Sequence, residues 1–550
     1  MRPIIATALL IQAACLAQTP VAIRTTGRIV TENFTGVGFH AEMFLNSATP
    51  EFYDQVIAKR WKELDPAFAR VFHGWTRGQP GVRDQAALDA LLKQFLFMKE
   101  ATGTEIYLTT ASPKDTAEGP EREAYVKAVV DELEYLHSHG AVNVTTYNMS
   151  NELSMGRWAA MTRDLAKFRD YHRLLHAELA RRGLKISLLA TDASPISNWN
   201  TIEWAARNMD DVTEVYGGHH YANDYDPDNL DFYAYFRNKC AEAVALARSK
   251  GKEFILGEFG PAQYLQHKFG VRWDANRWFG TRMEALGGLQ TAEAALAAMN
   301  GGVRAMGYWT FMDYPESERY FINHWGLFQW MKNDAAVRDS YYAYGLMTKF
   351  FHGPARIYEA ESSDPRVRIG VARQSATGRW SIAVINRAES DLPIAVSIPA
   401  PELTLRRYVY DVRAVPRTDD GDLQPPSGVV AAKSGRFADR VAGLSLTVYT
   451  SYYDDDPPAP VQDLKAERIR YAPNGQQEMQ AQRLTWKPGG SSDVIYYRVF
   501  YDGKRVGSAV SPEYVDGDVR RAAGHRYNVV AVDSSGNSSA ARECEPAPRQ

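Results

Sequence analysis

Two glutamates in this chain stand where a chemical role is easier to justify than a structural one. Glu258 ends the apolar run Phe254-Ile255-Leu256-Gly257-Glu258-Phe259-Gly260, and Glu152 closes Tyr147-Asn148-Met149-Ser150-Asn151-Glu152 with an amide beside it. A carboxylate delivered by so greasy a segment has few structural uses, because carboxylates are rarely buried without a partner. Two carboxyl groups held in different protonation states supply an acid and a nucleophile to one reacting bond. Taken singly, Glu152 could cap the next helix and Glu258 could be an ion-pair partner of Arg70.

The elements that must bring these groups together can be read from the hydrophobic pattern. Between Phe34 and His352, short β-rich runs alternate with amphipathic helical stretches, which argues for βα units and a parallel sheet. The strand runs are Val37 to Phe44, Phe68 to Trp75, Glu105 to Ala111, Val144 to Glu152, Lys185 to Asp192, Val215 to Tyr221, Glu253 to Phe259 and Ala305 to Asp313. Eight such strands close a (β/α)8 TIM barrel, whose chemistry sits at the C-terminal strand ends. An open doubly wound sheet alternates in the same way, so the count is what separates the two. Leu88, Leu91, Leu92, Phe95 and Met98 form one helical stripe, and Val126, Val129, Val130, Leu133 and Leu136 another; both read as core.

With these strands assigned, the sequence resembles clan A of the glycoside hydrolases. That clan carries an Asn-Glu pair at the fourth strand, here Asn151-Glu152, and a glutamate at the seventh, here Glu258. Arg70 in the second strand matches an arginine that steadies the nucleophile. His219 and Tyr221 in the sixth match a His-x-Tyr whose phenol contacts it, and Trp309 in the eighth matches a tryptophan flooring the sugar subsite. The segment before the Asn-Glu pair lacks the Trp or Gly often found there. The β-rich region after the barrel suggests family 39 or a near relative.

The resemblance implies a retaining glycosidase acting on β-linked poly- or oligosaccharides. In that mechanism the glycosidic oxygen is protonated by one carboxyl while the other forms a covalent glycosyl-enzyme. Glu258 is then the nucleophile, kept ionised by Arg70 and Tyr221, and Glu152 the acid/base, with its pKa raised by its surroundings. Asn151 would bind the sugar 2-hydroxyl. His40, at the end of the first strand beside Glu42, and His324 and Trp325, in the loop after the eighth, could line a sugar subsite or serve ordinary packing. A barrel that has lost activity and binds glycans at a surface, or one that transglycosylates, is the alternative.

The rest of the chain divides by composition. Residues 1–17 show the charged, apolar and small-residue order of a secretory signal, which implies export. Lipidation at Cys15 is the lesser alternative. The barrel occupies 18–352, a β-sandwich 353–453 and a Pro-rich acidic linker 454–460. Residues 461–550 carry Trp486, Tyr497 and the run from Tyr527 to Ser539, and resemble a fibronectin type III domain. A net charge of -3 excludes the basic footprint of a nucleic-acid binder, and no apolar run is long enough for a membrane span. His219-His220 on a strand and His137 with His139 on a helix cannot easily share one ion. No Gly-x-Ser-x-Gly elbow, P-loop or zincin motif occurs, so no cofactor or metal is expected. The partner expected is a carbohydrate substrate.

Overall fold

The computed structural model describes residues 19–42, 48–73, 81–110, 114, 116–153, 164–222, 231–261, 285–313, 326–329, 336–418, 421–472, 478–518, 520 and 524–548. The expected leader, Cys15, His324 and Trp325 lie outside the described residues.

Eight parallel strands form the centre: β1 (Val21–His40), β2 (Phe68–Phe72), β3 (Glu105–Thr109), β4 (Val144–Asn148), β5 (Ser187–Ala193), β6 (Val215–Ala222), β7 (Glu253–Pro261) and β8 (Ala305–Tyr308). Each pairs with the next, and β8 returns to β1 through Gly36↔Ala305 to Phe39↔Tyr308, which closes the ring. The (β/α)8 barrel expected from the count of eight is therefore present. Its interior is plugged by Phe68, Tyr107, Leu189, Val215, Ile255 and Ala305, one bulky layer beneath the strand ends. The two apolar helical stripes pack outside: Leu88, Leu91, Phe95 and Met98 in one helix and Val126, Val129, Val130, Leu133 and Leu136 in another are buried.

Three departures from the sequence expectation matter for the site. First, β1 begins sixteen residues before Val37, and Val21 to Arg24 pair with β12 (Leu392–Ser397) and β9 (His352–Ser362) rather than with the barrel. One strand thus serves two sheets, turning into the barrel at Gly36 and Gly38. A Cβ at Gly38 would lie 1.7 Å from the Phe68 carbonyl oxygen, so only glycine lets β1 approach β2. Second, β4 stops at Asn148, leaving Asn151 and Glu152 in the turn beyond it. Third, β8 stops at Tyr308, so Trp309 is the first residue past the strand.

After the barrel, β9, β10 (Val367–Gln374), β11 (Trp380–Asn386), β13 (Leu403–Asp411), β14 (Gly428–Ala432) and β16 (Ser445–Thr450) extend from β1 as an antiparallel sheet, with β12 and β15 (Arg436–Val441) paired beside it. The C-terminal part is two small sheets, one of β17 (Gln462–Tyr471), β18 (Met479–Lys487) and β21 (Glu513–Asp516), the other of β19 (Val494–Tyr501), β20 (Lys504–Ala509), β22 (Tyr527–Asp533) and β23 (Arg542–Cys544). Trp486 and Tyr497 meet edge to face at 5.1 Å in the core between them. No helix among the described residues is long and apolar enough to cross a membrane.

Candidate active site

Side-chain alternation explains why polar groups collect above the plug. On β2, Phe68 lies in the interior layer, so Arg70, two residues on, points the same way, while Ala69 and Val71 pack outward. On β6, Val215 is in that layer, and His219 and Tyr221 follow it at even spacing. His220 faces the opposite side and packs on Phe236 at 5.2 Å, with burial lowering its pKa to about 4. His219 and His220 therefore cannot share an ion. On β7, simple alternation from Ile255 would turn Glu258 outward. The register shifts there, pairing Gly218 with Leu256 but His219 with Glu258, and this bulge turns the carboxylate into the barrel. The residue absorbed is Gly257, whose Cβ would lie 2.9 Å from His219 Nε2 and 3.0 Å from Asp192 Oδ1.

Arg70 is the centre of the cluster and fully buried. Its Nη1 donates to Glu258 Oε1 at 2.6 Å and to His40 Nδ1 at 3.1 Å; its Nη2 donates to Asn151 Oδ1 at 2.6 Å and Asp192 Oδ2 at 2.9 Å. Burial alone would lower its pKa, but the Asp192 and Glu258 carboxylates outweigh this and hold it protonated. His40 accepts from the guanidinium, which requires a neutral ring, and burial followed by Arg70 and His219 keeps its pKa well below the ordinary value. That ring lies 4.3 Å from Trp309 and 4.5 Å from Phe72, so His40 and Trp309 form one aromatic wall. Glu42, beside it, accepts from the Phe72 amide at 2.6 Å, and burial raises its pKa to about 7.

The other half is organised by Asp192. His219 Nε2 lies 2.8 Å from Asp192 Oδ1, while its Nδ1 stands 3.3 Å from Glu152 Oε1 and 3.6 Å from Glu258 Oε2. Burial opposes the charged ring, yet Asp192 and Glu258 raise its pKa to about 10, so His219 is an imidazolium. The Tyr221 hydroxyl donates to Glu258 Oε2 at 2.7 Å. Each oxygen of Glu258 therefore has its own donor. One carboxylate oxygen from each glutamate and a His219 nitrogen lie within 4.8 Å of one another. Such a trio also has the spacing of a metal site; with Asp192 and Glu258 holding the imidazole protonated, an ion there would have to displace that proton, whereas acid–base chemistry uses the set as it stands.

Sequence expectation and structure differ on charge. Glu152 was expected to have a raised pKa and Glu258 to be simply ionised. Instead, burial pushes Glu258 above the ordinary carboxylate range, with His219 and Arg70 opposing it. For Glu152 burial also raises, but the hydrogen bond and charge of His219 prevail and hold it below that range. The lowering of Glu152 comes from His219, whose charge no sequence pattern reveals; the rise of Glu258 comes from its burial, which His219 opposes.

Arg70, His40, Asn151, Glu152, His219, Tyr221, Glu258 and Trp309 are thus brought to one mouth of the barrel. Asp192 was missed, although it ends the fifth strand run and the same strand-end rule would have found it. It and Glu152 both hold left-handed backbone, with φ of 59° and 49°, a strained conformation typical of sites that over-determine their geometry. Asp192→Asn is expected to drop the His219 pKa from about 10 toward the ordinary 6.5, read from imidazole NMR shifts. An elevated histidine pKa stabilises fully below its unfolded value and that contribution is lost as pH rises through about 10, so the wild-type melting temperature should fall across that window and that of Asp192→Asn should fall less. An unchanged His219 titration would remove Asp192 from this role.

The molecule is thus a parallel (β/α)8 barrel that gathers carboxylates, a buried arginine and an aromatic wall at its strand ends. No family model matches the sequence, and no curated protein matches it. Solved structures do match in fold. A crystal structure described as the bacterial orthologue of human α-L-iduronidase superposes with a TM-score of 0.58 at 13% identity, covering 96% of this chain and 99% of that one. A GH30 endoxylanase from Clostridium papyrosolvens gives 0.56 at 13%, covering 78% and 99%. A family 51 α-L-arabinofuranosidase from Bifidobacterium longum gives 0.55 at 12%, covering 78% and 99%.

Proposed function

We propose that this chain is a retaining glycoside hydrolase that cleaves β-linked bonds of poly- or oligosaccharides by double displacement, with Glu258 as nucleophile and Glu152 as acid/base. The observation that carries this reading is the separation of the two carboxyl groups, whose facing oxygens lie within 4.8 Å. Retaining enzymes place their pair ~5–5.5 Å apart, whereas inverting ones leave ~6.5–9.5 Å for a water between them.

The roles follow from the donors. Glu258 receives Arg70 and Tyr221, one on each oxygen, which suits an anion about to attack the anomeric carbon. Glu152 meets His219 at the longer 3.3 Å and is the more accessible of the two, which suits a group that must reach a leaving oxygen. Charge balance fixes the proton count. Arg70 and His219 bring two positive charges against Asp192, Glu152 and Glu258, so one proton on the glutamate pair neutralises the cluster. The reactive form carries it on Glu152. A glycosidic oxygen accepting from Glu152 selects that form, displacing the His219 contact that favours the ionised carboxylate.

In the first step Glu152 gives its proton to the leaving oxygen and Glu258 bonds to the anomeric carbon. In the second, Glu152 takes a proton from water, which displaces Glu258. Arg70 fixes Asn151 by its Oδ1, setting which end of that amide can donate to the 2-hydroxyl. Trp309 and His40 would floor the sugar ring, with His324 and Trp325 as further subsite residues. We also read the chain as exported, its C-terminal module as of fibronectin type III kind, and its family kinship as family 39 or a near relative. The iduronidase-like structure, which covers that module as well, supports the three-part architecture. Release of reducing sugar from a panel of plant and bacterial polysaccharides tests the proposal. Binding without product across the panel would favour a glycan-binding barrel.

A further inference from the structure

A second cavity, of about 660 Å3, lies away from the barrel mouth where three parts of the chain meet. Glu63 and Lys349 line it from the barrel, Tyr408 and Asp422 from the second β region, and Tyr496 and Asp533 from the C-terminal module. Its surroundings are held by Asp422, which is contacted by Lys59 Nζ, by Arg505 Nη1 at 2.7 Å and by Arg498 Nη2 at 3.1 Å. Asp54 adds to the junction by accepting the amides of Val510 and Ser511 at 3.1 and 2.9 Å. The walls are therefore built by charged groups that spend their charge on one another.

Lys349 is different. It is 9% exposed and lines the cavity, yet among the described residues it makes no hydrogen bond or ion pair. The other charges around it are already engaged: Glu63 takes Lys59 at 2.8 Å and the Leu423 amide at 3.0 Å, Asp422 takes its three cations, and Asp533 accepts the amides of Ser535 and Asn537 at 2.8 Å each. Burial pulls the ammonium below the ordinary lysine range, with Glu63, Asp65 and Asp533 opposing from a distance and Lys59 adding to the fall. A buried ammonium facing a water-sized or larger space without a counter-ion is costly, and an anion in contact removes that cost. The volume lies within the ~300–1,000 Å3 of small-molecule sites.

We propose that this junction cavity binds a small hydroxylated carboxylate, of the size and polarity of a sugar acid, whose carboxylate pairs with Lys349. The site is independent of the glycosidase reading, since none of its residues belongs to the barrel mouth. Calorimetric titration of the full chain with D-glucuronate and with D-glucose, which differ only in the carboxylate, tests it. D-glucuronate should bind saturably and D-glucose should not. Lys349→Met should weaken D-glucuronate binding by about tenfold or more, the loss of a charge-assisted contact. Lys349→Arg should retain it, and turnover of an aryl glycoside should be unchanged in both variants. Equal affinity in Lys349→Met places the ligand elsewhere and overturns the proposal, as does the absence of saturable binding to the wild type. Lys349→Met removes a buried unpaired charge and is expected to fold at least as well as the wild type, so loss of binding will not reflect unfolding.

Discussion

Glu258→Ala is expected to lower kcat/KM on an activated aryl glycoside by on the order of 10^4-fold or more, the scale on which covalent catalysts lose rate when the nucleophile is removed. Folding should survive the change. Arg70 loses one partner but keeps Asp192 at 2.9 Å and Asn151 at 2.6 Å, so its buried charge stays paired. On the proposed reading the space vacated would lie beneath the anomeric carbon, beside donors on Arg70 and Tyr221 that suit a small anion. Added azide should then attack directly and give a glycosyl azide of inverted configuration. Activity that survives the substitution, or loss of activity without any azide product, would remove Glu258 from the nucleophile's role.

Glu152→Gln is expected to act differently. Its loss should reach about 10^2 to 10^4-fold on natural glycosides, the usual contribution of a positioned general acid, and shrink for substrates whose leaving group needs no proton. The pH profile separates it further. The wild-type pair is productive with one proton: below its lower apparent pKa both carboxyls are protonated and attack is blocked, and above the upper one both are ionised and no acid remains. The wild-type profile should therefore be a bell. In Glu152→Gln only Glu258 titrates, so activity on an activated substrate should rise with pH and then level off. A bell that persists unchanged would assign the acid to another group, of which Glu42, with a pKa near 7 beside His40, is the nearest alternative.

The barrel was legible because its signals are local. Eight β-rich runs separated by apolar helical stripes need no tertiary information, and polar residues at strand ends stand out against greasy runs such as Phe254 to Leu256. His219 and Tyr221 could be placed on one face because even spacing along a strand sets which side chains share a face. What stayed hidden depends on contacts between distant segments. The first half of β1 pairs with strands more than 300 residues later, so no contiguous reading assigns it to the second sheet. Glu258 reaches the interior only through the bulge at Gly257, which alternation alone would contradict. The charge on His219 arises from Asp192 on a neighbouring strand and holds Glu152 low, while burial raises Glu258, so the order of proton affinity expected for the two glutamates is reversed.

Under the proposed double displacement the two glutamates work across one anomeric carbon without a water between them. Proton NMR of the first product formed from a cleaved aryl glycoside, recorded before mutarotation, distinguishes this from single displacement. The sugar should appear first with the anomeric configuration of the substrate. A first product of opposite configuration would contradict it, because single displacement by water requires carboxyls ~6.5–9.5 Å apart, not the close pair formed by Glu152 and Glu258.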